Sequence, residues 1–169
     1  MRIQMILTGG TIDKLYNPLK GELSFNQTHI PAAFEQGRCG VNLEIQQLFL
    51  KDSLEMTNED RAQILAACQN SAHEHIVITH GTDTMAETAR YLIAANPNKI
   101  IILTGAMIPL SVNGSDGLFN LGAAIVAAQC MSTGVYIAMN GRVFNGAQVT
   151  KNRGLGVFEA LHQGRTHTG

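Results

Sequence analysis

The feature that most constrains the fold is a regular alternation of short apolar runs with segments of helical periodicity. The apolar runs predict strands over residues 2–7, 43–50, 75–80, 99–105 and 134–139. The intervening segments predict helices over residues 28–38, 57–70, 84–95 and 116–130. Capping boxes are predicted where Thr57 precedes Asp60 and where Thr84 precedes Glu87. Because strands that alternate with helices form βαβ units, the sequence predicts an α/β fold with a parallel sheet and helices on both faces.

Size and composition predict a folded protein with one domain over residues 1–169. A net charge of −1, three Tyr and no Trp argue against a surface that binds nucleic acid. No apolar run approaches the roughly 20 residues of a membrane span, and no signal-peptide pattern is present, so a cytoplasmic protein is predicted. The three cysteines, Cys39, Cys68 and Cys130, are predicted to be buried free thiols.

Small and hydroxyl-bearing residues cluster where the predicted strands end. The segments TGGT, KDS, HGTDT and TGAM follow the first four predicted strands. In an open parallel sheet, ligands bind beyond the carboxyl ends of the strands, at the point where the strand order reverses. These four segments are therefore the predicted location of the functional site.

Each candidate residue at these ends also has a purely structural interpretation. Thr11 fits a local cap in a tight turn, and His80 is best explained as a strand-end histidine bound to a backbone group. Thr82 and Asp83 directly precede a predicted helix N-terminus, where backbone N–H groups and the helix dipole stabilise an oxyanion, although Asp83 fits a cap equally well. Lys151 is a surface lysine by default, but a lysine enclosed by apolar walls beside an aspartate can serve a threonine as a base.

The residue spacing predicts neither a metal site nor a phosphate cradle. His73 and His75 flank Glu74, while His162 and His167 lie in a polar tail, and no pair of them has the carboxylate–histidine spacing of a zinc site. The segment TGGTID contains neither a P-loop nor a complete GxGxxG pattern. No cofactor is therefore expected.

Five segments together resemble the bacterial L-asparaginase family. They are TGGTI at 8–12, HGTDT at 80–84, TGAM at 104–107, SDGLFNL at 115–121 and VTK at 149–151. Their order and spacing are similar to the amino-terminal domain of that family over almost the whole chain, and the carboxy-terminal domain of the family is expected to be absent. The resemblance implies a three-layer, Rossmann- or flavodoxin-like sandwich. It also implies that the chain hydrolyses the side-chain amide of asparagine through a threonine nucleophile, without metal or cofactor.

The resemblance further implies roles for the catalytic candidates. Thr11 matches the nucleophile of the family's flexible loop, and Tyr16 is the nearest candidate for the loop tyrosine that activates it, with Leu23 and Phe25 as alternatives at that place. The remaining catalytic positions form a second group, in which the lysine assists proton transfer and the aspartate also binds the substrate amino group. The residues that match this group are Thr82, Asp83 and Lys151.

The substrate-binding positions follow from the same resemblance. Ser53 matches the serine that holds the substrate α-carboxylate, and the Ala106 carbonyl matches the group that receives the leaving amide. Gly10 and Gly81 accompany them as substrate-binding positions. Leu54 follows Ser53 where family members usually carry a polar side chain that contacts substrate, so the identity of the amide is left open.

Two functions fit these residues. The first is an asparaginase-like amidohydrolase that cleaves asparagine or a related small amide. The alternative is a non-catalytic module that binds an amino acid or amide in the same pocket. The presence of Lys151 favours the enzyme, because a binding module has little use for a base. Relatives build their sites at subunit boundaries, so a homo-oligomer, either a dimer or a tetramer, is also expected.

Overall fold

The computed structural model describes residues 1–161 and contains one large sheet with two short hairpins. The helices and strands follow in chain order as β1 (Arg2–Gly9), β2 (Leu15–Asn17), β3 (Glu22–Ser24), α1 (Ile30–Gln36), β4 (Asn42–Lys51), α2 (Asn58–Asn70), β5 (His75–Thr79), α3 (Met85–Ala94), β6 (Ile100–Thr104), α4 (Gly117–Cys130), β7 (Gly134–Met139), β8 (Arg142–Asn145), β9 (Val149–Asn152) and β10 (Val157–Ala160). Two single turns of 3₁₀ helix, Thr11–Asp13 and Ser53–Glu55, follow β1 and β4.

The large sheet has the strand order β4-β1-β5-β6-β7-β8, and its first five strands are parallel. The edge strand β8 runs antiparallel to β7. The chain moves outward from β1 to β4 and then returns past β1 to β5, so the strand order reverses between β1 and β5. This is the flavodoxin-like arrangement, and its ligand crevice lies beyond the carboxyl ends of β1 and β5. The predicted α/β fold with a mostly parallel sheet is confirmed.

Helices cover both faces of this sheet and explain why its central strands are continuously apolar. In β6, Ile101 and Leu103 belong to the core beneath α2 and α3, whereas Ile100 and Ile102 belong to the core beneath α1 and α4. Successive side chains of a strand point to opposite faces, so a strand covered on both sides is apolar at every position. Each fully buried isoleucine contributes roughly 1.5–3 kcal/mol to the stability of the fold.

All five predicted strands and all four predicted helices are present, with ends that differ by at most two residues. The capping box at Thr57 is confirmed, because its side chain and that of Asp60 each bind the other residue's backbone N–H. The box predicted at Thr84 is wrong. Its hydroxyl instead donates to the Ser53 carbonyl at 2.8 Å and leaves the start of α3 without a side-chain cap.

Five short strands escaped prediction, namely β2 and β3 in one hairpin and β8, β9 and β10 after the last parallel strand. Each has only three or four residues, which is too few to establish an alternating pattern. The prediction of buried cysteines is correct for Cys68, whereas Cys39 is half-buried and Cys130 is exposed at the end of α4. Within residues 1–161, no helix is both long enough and apolar enough to cross a bilayer.

Candidate active site

Glycines let the loops after β1, β4 and β5 meet in one compact crevice floor. Gly10 has a φ of 83°, and a Cβ atom placed on it would lie 2.4 Å from the Gly81 nitrogen. A Cβ on Gly81 would in turn lie 2.6 Å from the Ser53 hydroxyl. Atoms this close cannot coexist with a methyl group, so only glycine allows the three loops to touch. Gly10, Gly81 and Ser53, which come from distant parts of the sequence, are thus brought together at the strand-order reversal.

Lys151 is the charged centre of this crevice. Its ammonium nitrogen donates to Thr82 Oγ1 at 2.7 Å and to Asp83 Oδ1 at 2.9 Å, and its side chain is only 9% exposed. Arg153 lies 3.8 Å from the same Asp83 oxygen. Of the two interpretations of Lys151, the surface lysine is therefore excluded and the enclosed lysine beside an aspartate is found.

The β9–β10 hairpin carries Lys151 to this position. Val149 and Lys151 share one face of β9, and Val149 is fully buried in the core next to α3. Phe158 of β10 stands opposite Lys151 and is 2% exposed, so it provides an apolar wall beside the lysine stem. Arg90 of α3 anchors the strand further through a hydrogen bond to the Val149 carbonyl at 3.3 Å.

Ser53 contributes a buried hydroxyl that has no hydrogen-bond partner among residues 1–161. The side chain is 1% exposed and lies in the 3₁₀ turn that follows β4. Asp52 caps this turn by accepting a hydrogen bond from the Leu54 N–H at 3.1 Å. Because buried hydroxyls are nearly always hydrogen-bonded in folded proteins, the Ser53 hydroxyl is a candidate contact for a ligand.

The loop after β6 is held by Asp116, which directly precedes α4, and by Asn120 of α4, and the sequence did not reveal either role. Asp116 accepts hydrogen bonds from the N–H groups of Met107 at 3.0 Å and Ile108 at 2.9 Å. Asn120, one helical turn later, donates to the Gly105 carbonyl at 3.0 Å. These contacts fix the buried Ala106 between them. The i, i+4 spacing of Asp and Asn in SDGLFNL was the available signal, since such residues share one helix face.

His80 is completely buried beneath the crevice. Its Nδ1 lies 2.7 Å from the Gly81 carbonyl oxygen, and its Nε2 lies 2.8 Å from the Thr88 hydroxyl. Burial lowers the pKa of His80 to about 4, the Gly81 contact opposes that shift, and the nearby Arg61 charge adds to it. His80 is therefore a neutral strand-end histidine bound to a backbone group, in agreement with the structural interpretation of its sequence context.

Thr11 and Tyr16 lie in the segment that follows β1. Thr11 is half-buried and begins the 3₁₀ turn that follows Gly10. Tyr16 lies on β2, is 60% exposed and pairs across the hairpin with Leu23. No hydrogen bond between the side chains of Thr11 and Tyr16 is present in the described part of the chain. Lys14, between them, forms an ion pair with Asp52.

The arrangement provides hydroxyls, a buried ammonium, a carboxylate and strand-end backbone groups in one crevice. Such a set can bind a small zwitterion and can activate a hydroxyl for attack on a carbonyl carbon. Among residues 1–161, no three His, Cys, Asp or Glu side chains lie close enough together to hold a metal ion. His162 and His167 are outside the described residues.

Comparisons with known proteins point to one family. A family model described as "Asparaginase, N-terminal" matches residues 2–166. The L-asparaginase of Thermococcus kodakarensis is 32% identical over 170 residues, which cover 96% of this chain and 52% of that protein. A probable periplasmic L-asparaginase of Haemophilus influenzae is 36% identical over 161 residues, which cover 88% and 46%. The solved thermostable L-asparaginase from Thermococcus kodakarensis superposes with a TM-score of 0.84 at 30% identity, covering 95% of this chain and 51% of that one.

The chain spans about half the length of the relatives that it matches. The residues that the family model matches, 2–166, contain the strand-end segments described above. The resemblance inferred from the sequence motifs is confirmed by the family match. This chain therefore belongs to the asparaginase family, to whose amino-terminal domain it corresponds over residues 2–166.

Proposed function

We propose that this chain hydrolyses the side-chain amide of asparagine or of a related small amino-acid amide. In the first step, the Thr11 hydroxyl oxygen attacks the amide carbon, its proton passes through a base to the amide nitrogen, and the C–N bond breaks to release ammonia. In the second step, water cleaves the resulting ester and restores the hydroxyl. The observation that carries this proposal is the enclosed contact of Lys151 with Thr82 and Asp83 at the crevice of an asparaginase-family fold.

Lys151 and Thr82 are suited to proton transfer. A hydroxyl is a weak nucleophile or proton relay until an adjacent group accepts its proton. The Lys151 nitrogen is 2.7 Å from Thr82 Oγ1, which is within the range for direct transfer, and enclosure of the lysine stem keeps bulk water away. Asp83 holds the lysine from the other side at 2.9 Å. We assign Lys151 to proton transfer, Thr82 to the relayed hydroxyl and Asp83 to the orientation of the lysine.

The crevice floor is suited to a substrate carboxylate. The Ser53 hydroxyl is buried without a partner in the described chain, and a carboxylate oxygen would satisfy it. Gly10 and Gly81 let the neighbouring backbone come close to that position. Asp83 is 32% exposed, and Lys151 occupies one of its oxygens, which leaves the other oxygen to accept the substrate amino group. These contacts together select an amide that also carries a carboxylate and an amino group.

The remaining assignments concern the leaving amide and the nucleophile. The Ala106 carbonyl is proposed to accept the amide N–H, since the loop that carries it is fixed by Asp116. Tyr16 is proposed to activate Thr11, as the tyrosine of the β2–β3 hairpin. Because the two side chains are not hydrogen-bonded in the described chain, this role requires the hairpin to bring the Tyr16 hydroxyl to Thr11.

Two expectations about the whole protein are part of the proposal. Self-association as a dimer or tetramer is supported by α4, whose outer face exposes Phe119 and Val126 in place of charged residues. A cytoplasmic location is retained from the sequence, although the relative from Haemophilus influenzae is described as periplasmic. No nucleic-acid or membrane partner is proposed.

Ammonia release from L-asparagine and L-glutamine by the purified protein tests the proposal. The changes Thr11→Val, Thr82→Val and Lys151→Met are each expected to lower kcat by at least about a hundredfold, because each removes a group that acts in proton transfer or attack. Trapping of an acyl-enzyme by acid quench, followed by mass spectrometry, is expected to label Thr11.

Matched control variants separate catalysis from folding. Thr150→Val changes an exposed threonine next to Lys151. Lys99→Met changes a lysine just before β6, at the amino ends of the strands, where it binds two backbone carbonyls. Both are expected to retain wild-type turnover. If the folded wild-type protein binds asparagine or aspartate with a rise in melting temperature but releases no ammonia between pH 5 and 10, the hydrolase is refuted and a binding module remains.

A further inference from the structure

The β2–β3 hairpin (residues 15–24) is exposed at its tip and tied down at its base. Leu19 at the turn is 95% exposed and Tyr16 is 60% exposed. At the base, the fully buried Asp13 carboxylate accepts a hydrogen bond from the Thr28 hydroxyl at 3.0 Å. This contact joins the start of the hairpin to its end, but it leaves open what holds the hairpin to the crevice.

Lys14 supplies that connection. Its ammonium donates to Asp52 Oδ2 and lies 5.6 Å from the centroid of the Phe25 ring at the end of the hairpin. Its carbonyl accepts a hydrogen bond from the Ser111 hydroxyl at 2.9 Å, and its N–H donates to the Thr11 carbonyl at 3.1 Å. One residue thus contacts the hairpin, the turn of the proposed nucleophile and two neighbouring loops.

Asp52, the partner of Lys14, shapes the turn that presents Ser53. Its Oδ1 accepts the Leu54 N–H at 3.1 Å, and its carbonyl accepts the Glu55 N–H at 3.0 Å. The hydrogen bond from Lys14 is the largest of several influences that hold the pKa of the Asp52 carboxyl below its usual range. The two side chains are 19% and 31% exposed, so their attraction is only partly screened by water.

We propose that Lys14 is a positioning residue, whose ion pair with Asp52 holds the Thr11 turn and the β2–β3 hairpin against the Ser53 turn. The attacking hydroxyl and the carboxylate-binding hydroxyl lie on separate loops, so their separation is set by whatever joins those loops. The Lys14–Asp52 pair is a direct side-chain link between them. Its effect on turnover rests on the proposed function, whereas its effect on the hairpin is independent of it.

Limited trypsin digestion tests the link without any need for activity. Lys20 lies in the exposed hairpin turn, and cleavage after it is followed by mass spectrometry under native conditions. Lys14→Met and Asp52→Asn are each expected to accelerate this cleavage about tenfold, because loss of a charge-assisted hydrogen bond raises the population of the open hairpin. The double variant is expected to be cleaved no faster than either single variant, since both changes remove the same interaction.

Lys51→Met is the matched control. Lys51 also pairs with an aspartate, Asp60, and also lies over an aromatic ring, that of Phe49 at 5.7 Å. Among residues 1–161, its side chain forms no hydrogen bond or ion pair with the hairpin. The Lys51→Met variant is expected to be cleaved after Lys20 at the wild-type rate. Lys14→Arg keeps the positive charge and is expected to be cleaved only slightly faster than the wild type. In the wild type, added NaCl is expected to accelerate cleavage, with no such effect in Lys14→Met. Wild-type cleavage rates in both Lys14→Met and Asp52→Asn would overturn the inference.

Kinetics give the second readout. If the protein hydrolyses asparagine, Lys14→Met and Asp52→Asn are expected to lower kcat about tenfold with a smaller change in KM, because the link positions the nucleophile rather than the bound substrate. Unchanged kcat in both variants refutes the catalytic consequence. An inactive wild-type protein that still shows the tenfold change in proteolysis refutes the proposed function and leaves the link itself supported.

Discussion

Acidification is expected to destabilise this protein through His80 well before its carboxylates are protonated. The His80 ring is fully buried, and both of its nitrogens lie within hydrogen-bond distance of protein groups, so the folded state keeps it neutral. Its pKa is about 4 when folded, against 6.5 for an unperturbed histidine. Between pH 6.5 and pH 4, the His80 ring therefore binds a proton when the protein unfolds. The stabilisation that comes from the neutral ring is complete above pH 6.5 and is lost as the pH falls towards 4.

The expected loss of unfolding free energy follows from the folded and unfolded pKa values of His80. Between pH 7.5 and pH 5.0, the difference in proton binding lowers the free energy of unfolding by about 2 kcal/mol. Urea unfolding followed by circular dichroism at four or five pH values measures this slope. His80→Asn replaces the ring with a side chain that does not titrate but retains a donor near the Nδ1 position. Its stability is expected to be lower at pH 7.5 and to lack this component of the slope.

A control and a second measurement keep the test decisive. His73→Asn changes a histidine that pairs with Glu44 at the other end of the sheet. This variant is expected to keep the part of the pH dependence of the unfolding free energy that comes from His80. If His80→Asn does not fold, NMR titration of the wild-type imidazole resonances measures the pKa directly. Either a wild-type slope in the folded His80→Asn protein or a His80 ring that titrates near pH 6.5 would refute the reasoning.

Two further predictions concern the geometry of the crevice. Gly10→Ala is expected to cost more than about 3 kcal/mol in urea unfolding, because its new methyl meets the Gly81 backbone, whereas Gly21→Ala, with a φ of 67° and open space around it, is expected to cost about 1 kcal/mol. Similar losses in the two variants would contradict the steric argument. Asp116→Ala is expected to lower kcat/KM for asparagine about tenfold, because the Met107 N–H loses its acceptor and the Ala106 loop loosens, and ammonia release measures this. Wild-type kcat/KM in that variant would remove Asp116 from any role in positioning the loop.

The sheet and its covering helices were predictable because each has a long periodic signal. β6 is apolar at four consecutive positions and is buried on both faces, and the intervening helices are ten or more residues long except α1. The location of the crevice also followed from the sequence, since the carboxyl ends of parallel strands converge whatever their order. Burial patterns and strand-end chemistry are local properties that can be read along the chain.

The local sequence pattern did not reveal the enclosure of Lys151, and only the family resemblance grouped it with Thr82 and Asp83. Lys151 lies on a four-residue strand in a hairpin with no distinguishing pattern, and its enclosure depends on Phe158, a residue seven positions further along. The same limitation applies to Thr84, whose spacing predicts a capping box but whose hydroxyl binds the Ser53 carbonyl across 31 residues. Contacts between short segments that are far apart in sequence have no local signal, and the polar half of the site consists of such contacts.

The close contact between Gly10 and Gly81 also limits which positions of this protein can be mutated. Because the crevice floor cannot admit even one additional carbon, libraries that randomise Gly10 or Gly81 will mainly return unfolded clones. Variation is better placed at Leu54, which follows Ser53 and is 66% exposed, than at Met107, whose sulfur accepts a hydrogen bond from the Thr82 hydroxyl at 3.6 Å. Variant libraries of this protein should therefore target exposed side chains and keep Gly10 and Gly81 unchanged.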